Sequence, residues 1–141
     1  MLRNFFWQFV SVLFAIWPSL IMAQTPSYSL KSPDERITLN VMLTDQLYYA
    51  VEADGAEVLW YSPLGMTLIH NGQTITLGEQ PKAKKDRTEL VQESVKPAWG
   101  IRSEIPDHYR QLSLDMEGDY QVQFRVYNDG VAYRFLTNLS G

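Results

Sequence analysis

The sequence contains no cysteine and only two histidines in 141 residues. The first absence excludes disulfide staples, thiolate nucleophiles and cysteine-bound zinc. The second leaves His70 and His108 as the sole imidazoles. HExxH, the P-loop, GxSxG and GxGxxG are all missing, so no motif with a built-in catalytic or phosphate-cradling geometry is present. Positive charge is scarce as well: 12 Lys and Arg stand against 16 Asp and Glu, a net charge of −4. No basic patch is dense enough to neutralise a phosphate backbone, which excludes a nucleic-acid partner. A cluster at Lys82, Lys84 and Lys85 is offset by Asp86, Glu89 and Glu93 and reads as a solvated strand edge.

Long apolar runs are also absent, with one exception. MLRN carries Arg3, and FFWQFVSVLFAIWPSLIM follows, interrupted mainly by Gln8 and broken by Pro18. Ala23 supplies a small residue at a cleavage position. Residues 1–23 are therefore read as a signal peptide helix, with an uncleaved membrane anchor as the alternative. Both place residues 24–141 outside the cytoplasm, in the periplasm or at the outer surface, with no membrane association after cleavage. Taking Arg3 away leaves 11 basic against 16 acidic residues, a balance of −5.

What the remaining chain does have is alternation. Ile37, Leu39, Val41 and Leu43 alternate with polar or smaller neighbours, and Leu47, Tyr49 and Val51 repeat the pattern. Asp54-Gly55 predicts a hairpin into AEVLW, and Asn71-Gly72 predicts another between MTLIH and TITL. Ser62-Pro63-Leu64-Gly65 reads as a break between strands, and Trp60 as a core residue at a strand end. The polar stretch after Gly78 predicts a loop entering an amphipathic strand. SEIPDHYRQLSLDM reads as irregular until Leu112, then as a strand. Tyr120, Val122, Phe124 and Val126 share one face, and Gln121, Gln123, Arg125 and Tyr127 the other. Asn128, Asp129 and Gly130 form the next turn, with Gly130 in the backbone role that only glycine fills easily. Arg125 and Arg134 flank it and are expected to pair with acids across the sheet. At least seven strands with short turns, and no helical periodicity after residue 23, predict an all-β antiparallel sandwich.

Chemistry is harder to place. The segment WGIRSEIPDHY gathers Trp99, Glu104, His108 and Tyr109, and it is the candidate carbohydrate-facing segment, because aromatic rings stack on sugar faces as readily as they anchor cores. Glu104 and Asp107 form a carboxylate pair of the kind that cleaves glycosides, but an irregular segment leaves their separation open. No catalytic residue and no metal ligand is assigned.

Four stretches together carry a resemblance: SPDERITLNVML, LYYAVEADGAEVLWYSPLGMTL, WGIRSEIPDHYRQLSLDM and FRVYNDGVAYRF. In order and spacing, from about Tyr28 to Leu136, they resemble the amino-terminal domain of glycoside hydrolase family 97, a family of exported α-glucosidases and α-galactosidases typical of Bacteroidetes. The resemblance implies the front part of a galactose-mutarotase-like β-super-sandwich, with a catalytic TIM barrel and an α-linked saccharide as partners. It also implies an active-site calcium in the full-length enzyme, with its glutamate ligand beyond Gly141, and hence no cofactor in this chain. The general acid and the base or nucleophile would sit in the barrel, so this piece is expected to be inactive alone. Its apolar strand faces are expected to lack sufficient cover, and its folding to be poorly cooperative. A free-standing carbohydrate-binding or structural surface sandwich is the alternative.

Overall fold

The computed structural model describes residues 25–95 and 105–138. The signal segment, Trp99 and Glu104 lie outside the described residues. Within them the chain is all strand. Strands β1 (Ser27–Lys31), β2 (Ile37–Leu43), β3 (Leu47–Ala53) and β4 (Ala56–Leu64) pair in chain order as one antiparallel sheet. A separate hairpin follows, β5 (Met66–His70) with β6 (Gln73–Leu77). Strands β7 (Ala83–Val95), β8 (Ile105–Met116), β9 (Tyr120–Val126) and β10 (Val131–Thr137) form the second antiparallel sheet, again in chain order.

Alternation decides which faces meet. Leu30, Leu39, Val41, Leu43, Leu47 and Leu64 of the first sheet pack against Leu112, Leu114, Met116, Val122, Phe124 and Val126 of the second. The largest of these, Phe124, is fully buried. The two sheets are offset. β1 lies over β8 and β2 over β9, and Tyr49 of β3 meets Tyr133 of β10 with ring centroids 5.8 Å apart. One strand further along, β4 overhangs, because the second sheet ends at β10. At the opposite side β7 overhangs in the same way.

The hairpin turns form where Asp54-Gly55 and Asn71-Gly72 predict them. Their φ angles of 51° and 78°, and of 50° and 76°, are left-handed at both central positions, as a tight two-residue turn requires. Other expectations fail. The chain does not break at Ser62-Pro63: β4 runs on through Pro63 to Leu64, which an edge strand tolerates because no neighbour asks for the missing amide donor. Trp60 is not core but 72% exposed. Register shifts between Tyr49 and Val51 and between Val51 and Glu52 put extra residues in β4, which breaks the period of two on which the inward reading depended. β8 starts at Ile105, not near Leu112, because residues 105–109 pair with β7 ahead of the point where β9 joins.

The turn at Asn128, Asp129 and Gly130 forms between β9 and β10 but needs no left-handed residue: none of the three has a positive φ. Tyr127 donates its amide to the Gly130 carbonyl at 2.8 Å, a closure that right-handed turn residues achieve unaided. Asn128 instead joins the two layers, its Oδ1 accepting the Asp34 amide at 3.1 Å. The glycine with a strict backbone role is Gly78, at φ 91°.

Candidate functional site

The outer face of the second sheet departs from the usual rule that an uncovered face is wet and loosely populated. Tyr109, Gln111, Ser113 and Asp115 occupy the odd positions of β8, beside Gln121, Gln123 and Arg125 of β9, Tyr127 just after it, and Arg134 of β10. All carry side chains away from the core, yet Tyr109, Gln111, Ser113 and Gln123 are buried. Long neighbours roof them over and tie them together.

Gln111 is the hub. Its Nε2 donates to Glu89 Oε1 of β7 at 2.8 Å and to Ser113 Oγ at 3.2 Å. Its Oε1 accepts from Arg125 Nε at 2.9 Å. A second chain of bonds runs beside it: Arg134 Nε donates to Gln123 Oε1 at 2.7 Å, Gln123 donates to Gln121, and Gln121 donates to Asp115. The Arg125 guanidinium also lies 4.5 Å from the centre of the Tyr109 ring, in cation–π contact, and Tyr109 packs on Tyr127 with centroids 5.0 Å apart. Burial pushes the Tyr109 hydroxyl above the usual phenol range. Burial works against the charge of Arg125, but the Tyr127 hydrogen bond and the nearby Tyr109 and Asp107 more than offset it, so the guanidinium is held firmly charged. Among the described residues no buried side-chain nitrogen or oxygen lacks a partner. The face is therefore rigid, preorganised and polar.

Of the four site residues named from sequence, Trp99 and Glu104 lie outside the described residues, and His108 and Tyr109 part. Strand geometry places His108 and Tyr109 on opposite faces of β8, because neighbours in a strand alternate. His108 is half-buried, its Nε2 3.0 Å from Gln92 Nε2, in a shallow depression with Glu93, Ser94 and Asp107. Of these two, Tyr109 joins the polar face. Among the described residues Arg125 and Arg134 bond to Gln111 and Gln123 rather than to acids. Gln111, Gln123 and Gln121 are the residues that sequence reasoning missed. Their signal was glutamine recurring at alternate positions opposite an apolar face, which reads as ordinary solvent exposure until the arginines above them are placed.

Amides and guanidinium groups bind and orient polar surfaces, and the rim carboxylates Glu89 and Asp115 accept hydrogen bonds from Gln111 and Gln121. Calcium takes six to eight oxygen ligands, and no group of three or more candidate metal-ligating side chains converges among the described residues. Glu89 and Asp115 are each engaged by a glutamine. The described residues therefore do not fit a calcium site.

Comparison with known proteins places this geometry. The family model described as "Glycosyl-hydrolase 97 N-terminal" matches residues 30–139. A retaining alpha-galactosidase of Bacteroides thetaiotaomicron is 33% identical over 125 residues, which cover 89% of this chain and 18% of that protein. A crystal structure of a beta-arabinopyranosidase superposes with a TM-score of 0.66 at 26% identity, over 81% of this chain and 18% of that one. A family 97 enzyme from Pseudoalteromonas sp. strain K8, in complex with panose, superposes at 0.63 with 20% identity, over 77% and 17%; this likeness is one of fold. The chain thus spans less than a fifth of the length of these relatives.

Proposed function

The chain belongs to glycoside hydrolase family 97, as the amino-terminal domain of such an enzyme, and from that premise we propose that it is the non-catalytic sandwich portion of an exported α-glycosidase. In this reading it braces the catalytic TIM barrel and helps to shape the carbohydrate pocket. The observation that carries it is the locked polar face of β8 and β9, with Gln111, Gln123 and Arg125 at its centre. A surface with every buried polar group satisfied before any partner arrives loses little side-chain freedom on docking. It holds a neighbour in register and leaves proton transfer to that neighbour. The general acid, the second carboxylate and any calcium belong, on this reading, to the rest of the enzyme, and no step is routed through them here. Export follows from reading residues 1–23 as a signal.

The test is a chimera. The matching 125 residues of the Bacteroides alpha-galactosidase are replaced by this chain, and turnover of a nitrophenyl α-galactoside is measured. The chimera is expected to be active, and Gln111→Leu or Arg125→Ala within it to lower kcat/KM about tenfold, the effect of a small misplacement near a reacting centre. Unchanged kcat/KM in both variants overturns the proposal. The isolated chain is expected to show no turnover.

A second reading, a free-standing carbohydrate-binding sandwich, draws on the same planar amide and guanidinium groups. Calorimetry of residues 24–141 with maltooligosaccharides and α-galactosides separates the two: saturable binding favours the second reading.

A further inference from the structure

On the outer face of the second sheet, between β9 and β10, lies a hollow of 130 Å³ lined by Gln123, Arg125, Tyr127, Ala132, Tyr133 and Arg134. Register explains it. Ala132 stands directly opposite Arg125, and Arg134 opposite Gln123. Side chains two apart in a strand share a face, so the single methyl of Ala132 sits between two long cations and leaves the space above it open. Each cation is anchored through Nε, Arg125 to Gln111 Oε1 at 2.9 Å and Arg134 to Gln123 Oε1 at 2.7 Å. A guanidinium carries five N–H donors in a rigid fork. The anchor fixes its plane and leaves further donors on its Nη atoms.

What the hollow lacks is an acid. Arg36 pairs with Asp54 at 2.8 Å and Arg87 with Glu89 at 3.8 Å. Among the described residues, Arg125 and Arg134 have no carboxylate within ion-pair distance, and Asp107 acts on Arg125 only through space. Acids are not scarce in the chain, at 16 against 12 bases. Two cations on the walls of one hollow repel each other without a counter-charge. Roofing the glutamines takes one donor from each, a task that neutral donors perform without that cost. The arrangement matches instead a pair of forks that grip one carboxylate between them.

We propose that the hollow between Arg125 and Arg134 is a carboxylate-binding site. It holds the room of about four water molecules. That takes a carboxylate and the carbon that bears it and excludes a sugar ring, so the ligand enters by its acid group. Two sources carry such a group: an aspartate or glutamate side chain, and an acidic sugar. The inference deepens the bracing reading, and for the side-chain source it rests on it, because a gripped carboxylate fixes the neighbouring domain at one point.

The test uses the whole chain, isotope-labelled at arginine, with the Nε–H signals followed by NMR as sodium acetate replaces sodium chloride at constant ionic strength. Saturable shifts are expected at Arg125 and Arg134 and not at Arg36, which already holds Asp54. Arg134→Gln and Ala132→Leu, both at exposed positions, are each expected to raise the half-saturating acetate concentration about tenfold or more. The first removes a charge-assisted pair, and the second fills the hollow while keeping both cations. No saturation, equal shifts in chloride, or acetate binding by Ala132→Leu as tight as by the parent each overturns the proposal. N-acetylglutamate amide and methyl α-galacturonide then separate the sources: the tighter ligand is the acid that the site serves, and failure of both overturns it. The bracing reading is judged apart. Absent acetate binding with an impaired Arg125→Ala chimera defeats this inference and spares that reading; acetate binding with an unimpaired chimera does the opposite.

Discussion

A Cβ placed on Gly78 would stand 2.4 Å from the carbonyl oxygen of Leu64, inside any real contact, on a backbone already at φ 91°. Gly78→Ala is therefore expected to destabilise by at least about 2 kcal/mol, read by urea denaturation. Gly130→Ala is expected to be near neutral, because a Cβ there meets nothing within 4 Å. Sequence alone ranked these two the wrong way round. Glycine beside Asn-Asp resembles a left-handed turn, whereas the close approach at Gly78 exists only once two distant backbones have met. At the centre of the core, Phe124→Ala is expected to cost about 3–5 kcal/mol by transfer and cavity together. Proton linkage is expected at the two extremes of pH. The Ser32 hydroxyl holds the Asp34 carboxyl below its ordinary 3.8, and the Arg36 guanidinium, bonded at 2.8 Å, does the same for Asp54. Both contributions are present above 3.8 and disappear as pH falls through the lowered values, so Asp54→Asn is expected to flatten the acid limb of the melting curve. Tyr28, Tyr109 and Tyr120 are raised above 10.0 by burial, so the neutral fold is favoured below that value and loses ground above it. Melting temperature is expected to fall as pH rises beyond 10.

Strands were legible wherever one face is apolar and the neighbours are regular. β2 and β9 bury the alternate residues that their sequences mark, β10 half-buries Val131 and Phe135, and two dipeptides set the β3–β4 and β5–β6 turns. β4 and the start of β8 were not legible, for different reasons. In β4 two bulges reset which residue points inward, a decision made by pairing with β3 and invisible in a one-dimensional pattern. In β8, Pro106 and Asp107 have poor strand propensity, and only the continuous partner strand β7 holds them extended. That difference bears on the site: expecting an irregular segment grouped His108 with Tyr109, and strand geometry separates them. The exposed face of β4 also yields a test. Trp60→Ser is expected to shift stability by no more than about 0.5 kcal/mol while lowering the tendency to associate, measured by denaturation and light scattering in parallel.

At the scale of the molecule, the two sheets share one continuous core, and among the described residues both overhanging strands leave apolar side chains exposed, Val58 on β4 and Leu90 on β7. An apolar dye such as ANS is accordingly expected to bind the native chain at neutral pH, and Val58→Lys to lower the signal without broadening the thermal transition. The β5–β6 hairpin stands apart from this balance. It forms a sheet of its own, with Ile69 81% exposed, and its base is clamped by the Leu47 amide donating to Gly78 O at 2.9 Å and by the bridge between Gln46 and Glu79. Strain applied at the tip is stopped at that clamp. The Asn71-Gly72 junction is thus a socket: a reporter domain spliced there would ride outside the sandwich, and the hairpin could be lengthened by residue pairs through descent or design while every contact beneath it stays as it is.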